Sequence, residues 1–137
     1  MRIVIIDGQG GRVGRTIVEK LKARIPDQEL VVIGTNSIAT ANMLKGGAEQ
    51  GATGENPIVL AAETADLIIG VIGIAIPHSL LGEVTPRMAE AIGKSRAKKL
   101  LIPSTRCNNT VVGVTASGLS ELTDLAVEAA VGYISEK

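Results

Sequence analysis

The sequence predicts an α/β fold, a three-layer doubly wound parallel sheet of about six strands with helices on both faces. Residues Arg2-Ile3-Val4-Ile5-Ile6-Asp7 form a continuous β-branched run, the pattern of a strand covered on both faces rather than on one. From Arg12 the apolar period changes: Val13, Ile17, Val18, Leu21 and Ile25 recur at helical spacing with charges on the opposite face. Strand-like and helix-like segments then alternate along the rest of the chain, which βαβ units produce and hairpins do not.

The first helix ends at Pro26-Asp27, because proline cannot continue it. Leu30-Val31-Val32-Ile33-Gly34 is the second strand, and Thr35-Asn36-Ser37 supplies capping side chains to a helix that runs to about Lys45 and stops at Gly46-Gly47. Residues 48–56 are glycine-rich and polar and read as a loop, leading through Pro57 into a short strand at residues 58–60. The apolar run at residues 67–76 has the character of a buried central strand. Pro77-His78-Ser79 starts a helical region, and Thr85-Pro86 within it is either a kink or a fresh N-cap with proline at the first helical position. A strand at residues 99–103, a sixth at 110–115 and a closing helix complete the pattern. Ser117 caps that helix, with Leu119, Leu122, Leu125, Ala126, Ala129 and Ala130 on one side.

Residues 1–137 suit one domain with one core and one main site, and no linker divides them. Apolar residues make up 45% and charged ones 20%, the balance of a chain that folds rather than stays disordered. Tyr133 is the one aromatic residue, so the core is aliphatic and base-stacking platforms are missing. Fourteen basic residues balance fourteen acidic ones, so no global field draws a polyanion, and nucleic acid is not expected as a partner. No apolar run is long enough to span a membrane, and the N-terminal apolar stretch is too short for a signal segment. The single cysteine, Cys107, excludes an internal disulfide framework, so the expected setting is cytoplasmic; no Cys/His spacing suggests a metal site.

The loop Gly8-Gln9-Gly10-Gly11-Arg12-Val13-Gly14 lies where the strand period gives way to the helical one. A turn there must be tight and must let the backbone approach a phosphate, while the helix start offers N–H groups and a partial positive charge. The spacing is GxxGxxG with Gly10 extra, because position 13 is valine. Between a strand and a helix it reads as a dinucleotide fingerprint of the Rossmann type; the alternative is a tight turn that binds nothing.

The eight residues from Gly8 to Arg15 resemble the G-x-G-G-R-M-G-R loop in the nucleotide-binding domain of dihydrodipicolinate reductases, and the whole chain resembles a group of short bacterial Rossmann-like proteins of unknown function. The first resemblance implies NAD or NADP as ligand, with Gly8, Gly11 and Val13 along the pyrophosphate and Arg12 near the adenosine ribose or its 2′-phosphate. In those reductases the substrate-binding part lies in a second domain, which is not expected here. Asp7 departs from the pattern, since its carboxylate would repel a phosphate. Its expected role is to accept N–H bonds from the loop, ahead of a chemical role or a bridging cation.

NAD sites place an acidic residue after the second strand to bond the ribose; Thr35, Asn36 and Ser37 stand there instead. Hydroxyl and amide groups at a helix start suit a 2′-phosphate, which favours NADP over NAD, while helix capping accounts for the same residues. At the next strand end, Gly73-Ile74-Ala75 is similar to the backbone-rich loop beside the ribose and nicotinamide in such folds, with a buried strand end as the alternative. Ser104-Thr105-Arg106-Cys107-Asn108-Asn109 follows the strand at residues 99–103 and borders the same crevice. His78 is a candidate acid or base and Cys107 a candidate nucleophile or redox sensor, but neither pattern assigns a catalytic residue. The chain holds no GxSxG, HExxH or GxxxxGK[ST], which removes the ordinary hydrolase, zincin and P-loop classes.

Three functions are compatible with these residues. The first is an NAD(P)-binding or sensor module without its own substrate domain; the second is a small NAD(P)-dependent oxidoreductase whose active site a second subunit completes. The third is a scaffold or a binder of another nucleotide or phosphate ligand. The apolar residues of the closing helix, Val127, Val131 and Tyr133 among them, suit packing into a homodimer or higher homo-oligomer.

Overall fold

The computed structural model describes residues 1–104, 108–115 and 118–137. Five parallel strands form one sheet in the order β3-β2-β1-β4-β5: β1 (Ile3–Asp7), β2 (Leu30–Gly34), β3 (Gln50–Thr53), β4 (Leu67–Val71) and β5 (Lys98–Ile102). Every residue of β1 and β4 is buried, as the unbroken apolar runs require of strands covered on both faces. Helices α1 (Arg12–Arg24), α2 (Ser37–Lys45) and α5 (Leu119–Ser135) pack side by side on one face, and α3 (Glu55–Thr64) packs with α4 (Pro86–Lys94) on the other. The result is a three-layer Rossmann-like sandwich.

Among the described residues the sheet has five strands rather than six, and two of the expected strands are not strands. Residues 58–60 belong to α3, where Ile58, Ala61 and Ala62 form a buried helical stripe. Pro57 sits in that helix's first turn, where its missing N–H costs no intrahelical bond, so it does not break the helix. Residues 110–115 carry no strand either. Gly113 turns the backbone at φ 90° and the Val114 N–H bonds back to Val111, leaving Val112 93% exposed, with no strand paired to it among the described residues.

The third strand comes instead from the polar stretch Gln50-Gly51-Ala52-Thr53, which pairs with β2 at the sheet edge. Thr40, on α2, locks it by donating to the Ala52 carbonyl at 3.1 Å and meeting Thr53 Oγ1 at 2.7 Å. The apolar run at residues 67–76 divides into β4 and a 3-10 turn (Ile72–Ala75) that folds Ile74 back into the core. After it comes a turn, not a helix. Then α4 begins at Pro86, with Thr85 Oγ1 accepting the Met88 N–H at 3.1 Å, so Thr85-Pro86 is a cap and not a kink.

The closing helix buries part of the expected side, with Ala130 in the core and Leu122 and Ala126 packed against it, but is turned toward Thr123 and Val127. Thr123, Val127 and Ala130 are its buried residues, while Leu125 stays 57% exposed. It lies against α1, and Lys20–Asp124 and Arg24–Glu128 ion pairs fix the pairing at its solvent edge. Ser117, expected to cap it, lies outside the described residues; Gly118 stands at the helix start.

Candidate functional site

The chain winds from β1 to β2 and β3 in one direction and then crosses to β4 on the other side of β1. A crevice therefore opens between the carboxyl ends of β1 and β4, where doubly wound sheets hold ligands. A cavity of about 470 Å³ lies there, within the range of small-molecule sites. Its polar wall is the loop from Asp7 to Val13, and Val71, Leu80 and Leu119 supply an apolar wall. A larger groove of about 570 Å³ lies over the β2–β3 edge beside α3, away from this crevice, with Arg2 and Glu63 as its charged residues.

The glycine loop is held from behind. Gly11 donates its N–H to the Gly8 carbonyl at 2.9 Å, and the side chains of Asn36 and Asn42 donate to the Gln9 and Gly10 carbonyls, each at 2.9 Å. These bonds turn the loop carbonyls toward α2. Among the described residues, the N–H groups of Gly10, Arg12 and Val13 have no hydrogen-bond partner, and they emerge at the helix start that walls the cavity. Arg12 is exposed at that wall, whereas Arg15 is spent on Glu19 and Asn42.

Three of the loop's glycines are required by packing inside the protein. A Cβ on Gly8 would stand 2.6 Å from Thr35 Oγ1, and one on Gly11 would stand 2.7 Å from the Ala39 backbone. One on Gly14 would meet Met43 and stand 3.0 Å from Asp7 Cβ. Only at Gly10 is there room, with Arg12 Cγ at 3.9 Å as the nearest atom.

Asp7 is 6% exposed and accepts the N–H groups of Gly8 and Gly14, each at 2.8 Å, so its carboxylate ties β1 to the loop and to α1. Burial pushes its carboxyl above the ordinary range; the Gly14 and Gly8 bonds oppose the rise, and the charge of Glu83 adds to it. Glu83 itself is a residue that sequence reasoning missed. Its Oε1 accepts from Thr35 Oγ1 at 2.6 Å, from Asn36 Nδ2 at 2.8 Å and from the Gln9 N–H at 2.8 Å. Burial raises its pKa, but the bonds from Thr35, the Gln9 N–H and Asn36 outweigh that and hold its carboxyl below the ordinary glutamate range.

The other expected site residues are dispersed. Asn36 caps α2 by accepting the Ala39 N–H at 2.9 Å, and Ser37 is exposed on the first turn. Gly73 and Ile74 are buried, and Gly73, Ile74 and Ala75 are not among the residues lining the main cavity; Gly73 touches a neighbouring void of about 10 Å³. His78 is exposed, at φ 68°, and is likewise not a lining residue. Ser104 lines the cavity, while Thr105, Arg106 and Cys107 lie outside the described residues.

A family model described as Domain of unknown function (DUF3842) matches residues 2–135. The chain belongs to that family. No curated protein matches it. Among solved structures it is similar to a dodecameric FMN-dependent UbiX-like decarboxylase from Escherichia coli O157:H7, at 13% identity and a TM-score of 0.52, over 97% of this chain and 94% of that one. At that identity the likeness is one of fold.

The expectation of NAD or NADP does not stand. A solved structure that shares this fold is of an FMN-dependent enzyme. In this DUF3842 chain, moreover, the Thr35 and Asn36 donors assigned to a 2′-phosphate are already taken by Glu83. No local signal announces Glu83, which stands 48 residues from Thr35 and reaches it from the connection between β4 and α4.

Proposed function

We propose that this chain binds flavin mononucleotide in the crevice between β1 and β4. The observation that carries the reading is the asymmetry of the cavity: unpaired Gly10, Arg12 and Val13 N–H groups and the exposed residue Arg12 on one side, and Val71, Leu80 and Leu119 on the other. A phosphate monoester suits the first side, where helix-start amides and one cation favour an anion. The flat dimethylbenzene side of a flavin ring suits the second. Asp7 lines the same cavity, but both its oxygens already accept backbone N–H bonds, so it does not compete for the amides that face the phosphate. The FMN dependence of the enzyme that shares the fold supports this choice over other mononucleotides. A flavin held there would supply hydride and single-electron chemistry. The chain's own part is to fix the phosphate at the start of α1 and to exclude water along the apolar wall.

Titration of the purified protein with FMN and with riboflavin, followed by flavin fluorescence, tests this. FMN should bind at least about tenfold more tightly than riboflavin, and Arg12→Gln should erase most of that difference. Equal affinity for the two flavins, or no binding of FMN at millimolar concentration, sinks the reading.

Homo-oligomer formation is proposed with it. Leu119 lies at the cavity wall 45% exposed and Leu81 follows Leu80 at 95% exposed, an apolar rim that a second copy would cover. The dodecameric state of the structural neighbour supports it. Light scattering on the eluting protein would read the assembly, and a monomer at micromolar concentration would count against it.

A further inference from the structure

We infer that Glu83 is a specificity-determining residue: it fills the anion-binding cradle at the carboxyl end of β2 and so restricts the crevice to mononucleotides. The inference rests on the proposed phosphate site at the start of α1 and narrows its ligand class.

In sheets of this strand order the first ribose of a dinucleotide, with any 2′-phosphate, is held at the end of β2. Here that end carries a ready donor set, made of the Thr35 hydroxyl, the Asn36 amide and the Gln9 N–H. All three converge on the single oxygen Oε1 of Glu83. They treat the carboxylate as they would an oxygen of a bound phosphate, and a second anion cannot share them. The carboxylate also closes the space in front of Gly8, where an added Cβ would lie 2.9 Å from Oε1.

The connection that delivers Glu83 is built for the purpose at some conformational cost. His78, Leu80 and Leu81 take φ values of 68°, 57° and 57°, a region that side chains disfavour, and Gly82 takes 88°. The turn is closed on itself by bonds from the His78 N–H to the Val84 carbonyl at 2.7 Å and from the Val84 N–H to the Ser79 carbonyl at 3.1 Å. Its charged tip meets Thr35 and Asn36 beyond β2 and the Gln9 N–H of the glycine loop, and Glu83 is not itself among the residues lining the cavity assigned to the phosphate and ring. Removing its side chain should therefore open the end of β2 and free the Gln9 N–H, while the Gly10, Arg12 and Val13 N–H groups assigned to the phosphate, none of which bonds to Glu83, keep their places.

Calorimetric titration of the full chain with NADP, and separately with FMN, tests this in the wild type, Glu83→Ser and Glu83→Gln. The wild type should show no measurable NADP binding. Glu83→Ser should bind NADP measurably, at least about tenfold more tightly than the detection limit that bounds the wild type, with FMN affinity within about threefold of the wild type. Glu83→Gln, which keeps the shape and removes the charge, should gain less. A folded Glu83→Ser protein with no gain in NADP affinity overturns the inference, as does a gain matched by an equal loss for FMN. If Glu83→Ser does not fold, Glu83→Gln decides: NADP binding at least about threefold tighter than the wild-type limit supports the role and anything less overturns it. Failure of the wild type to bind FMN would refute the mononucleotide reading alone, because the NADP comparison among the three proteins is read independently of it.

Discussion

Replacing Gly11 by alanine separates the two explanations of the glycine loop. Gly11 precedes α1 at φ 70°, a left-handed conformation that costs a residue bearing Cβ about 1 to 2 kcal/mol. The new methyl would also stand 2.7 Å from both Cα and O of Ala39, atoms of the α2 backbone that no rotamer change can move aside. Relief requires α2 to shift away from α1, and such overpacking costs about 1 to 3 kcal/mol. Together these give a loss of about 2 to 5 kcal/mol. For 137 residues the unfolding entropy is roughly 0.3 kcal/mol/K, so Tm should fall by about 7 to 17 °C. Urea titration and thermal circular dichroism, both without ligand, measure this. A loss under about 0.5 kcal/mol would refute the argument, because it would mean that the glycine is not required by helix packing and that its place in the loop must be explained by a ligand.

Gly10→Ala, whose Cβ meets nothing closer than 3.9 Å, should leave stability within about 0.5 kcal/mol of the wild type; a drop like that of Gly11→Ala would show the loop to be packed differently. The raised pKa of Asp7 means that its ionisation works against the fold. Its contribution is therefore greatest below about pH 4 and is lost as pH rises through its folded pKa, so the stability advantage of the wild type over Asp7→Asn should shrink with rising pH, and a widening gap contradicts the sign. Glu83 has the opposite slope: its lowered pKa contributes stability above the ordinary glutamate range that disappears as pH falls through the folded value. Glu83→Gln should flatten the acid limb of the stability curve, and an unchanged limb would mean that the three donors do not favour the charged form. Thr85→Ala removes the acceptor of the Met88 N–H and the donor to Glu55 Oε2 at 2.6 Å, and should cost about 1 kcal/mol in a thermal melt; no shift would leave Pro86 and the buried stripe as the sole determinants of the α4 start.

Local pattern was enough wherever one element's own residues decide its structure. β1, α1, β2, α2 and β5 follow from apolar period, capping side chains and glycine or proline stops, and they appear within a residue or two of the expected places. It failed where a neighbour decides. Gln50-Gly51-Ala52-Thr53 has no strand signal of its own and becomes β3 because β2 offers it an open edge and Thr40 anchors it. Residues 110–115 have a β-branched composition, but Gly113 turns them and no strand stands beside them. The helical period of Ile58, Ala61 and Ala62 was present in the sequence and was obscured by Pro57.

The sequence by itself determined a parallel α/β sheet with a glycine turn between its first strand and first helix, because side-chain period and backbone permissiveness are local properties. Only the tertiary structure decided what that turn serves. Gly8, Gly11 and Gly14 face Thr35, Ala39 and Met43 rather than open space, and Glu83 arrives from the connection after β4 to occupy the donors after β2. The glycine contacts follow from α1 packing on α2 beside the β1–β2 pair, and the Glu83 contact from β4 crossing to the far side of β1; strand order is fixed by how the whole set of apolar faces is buried together, which no segment of the chain specifies alone.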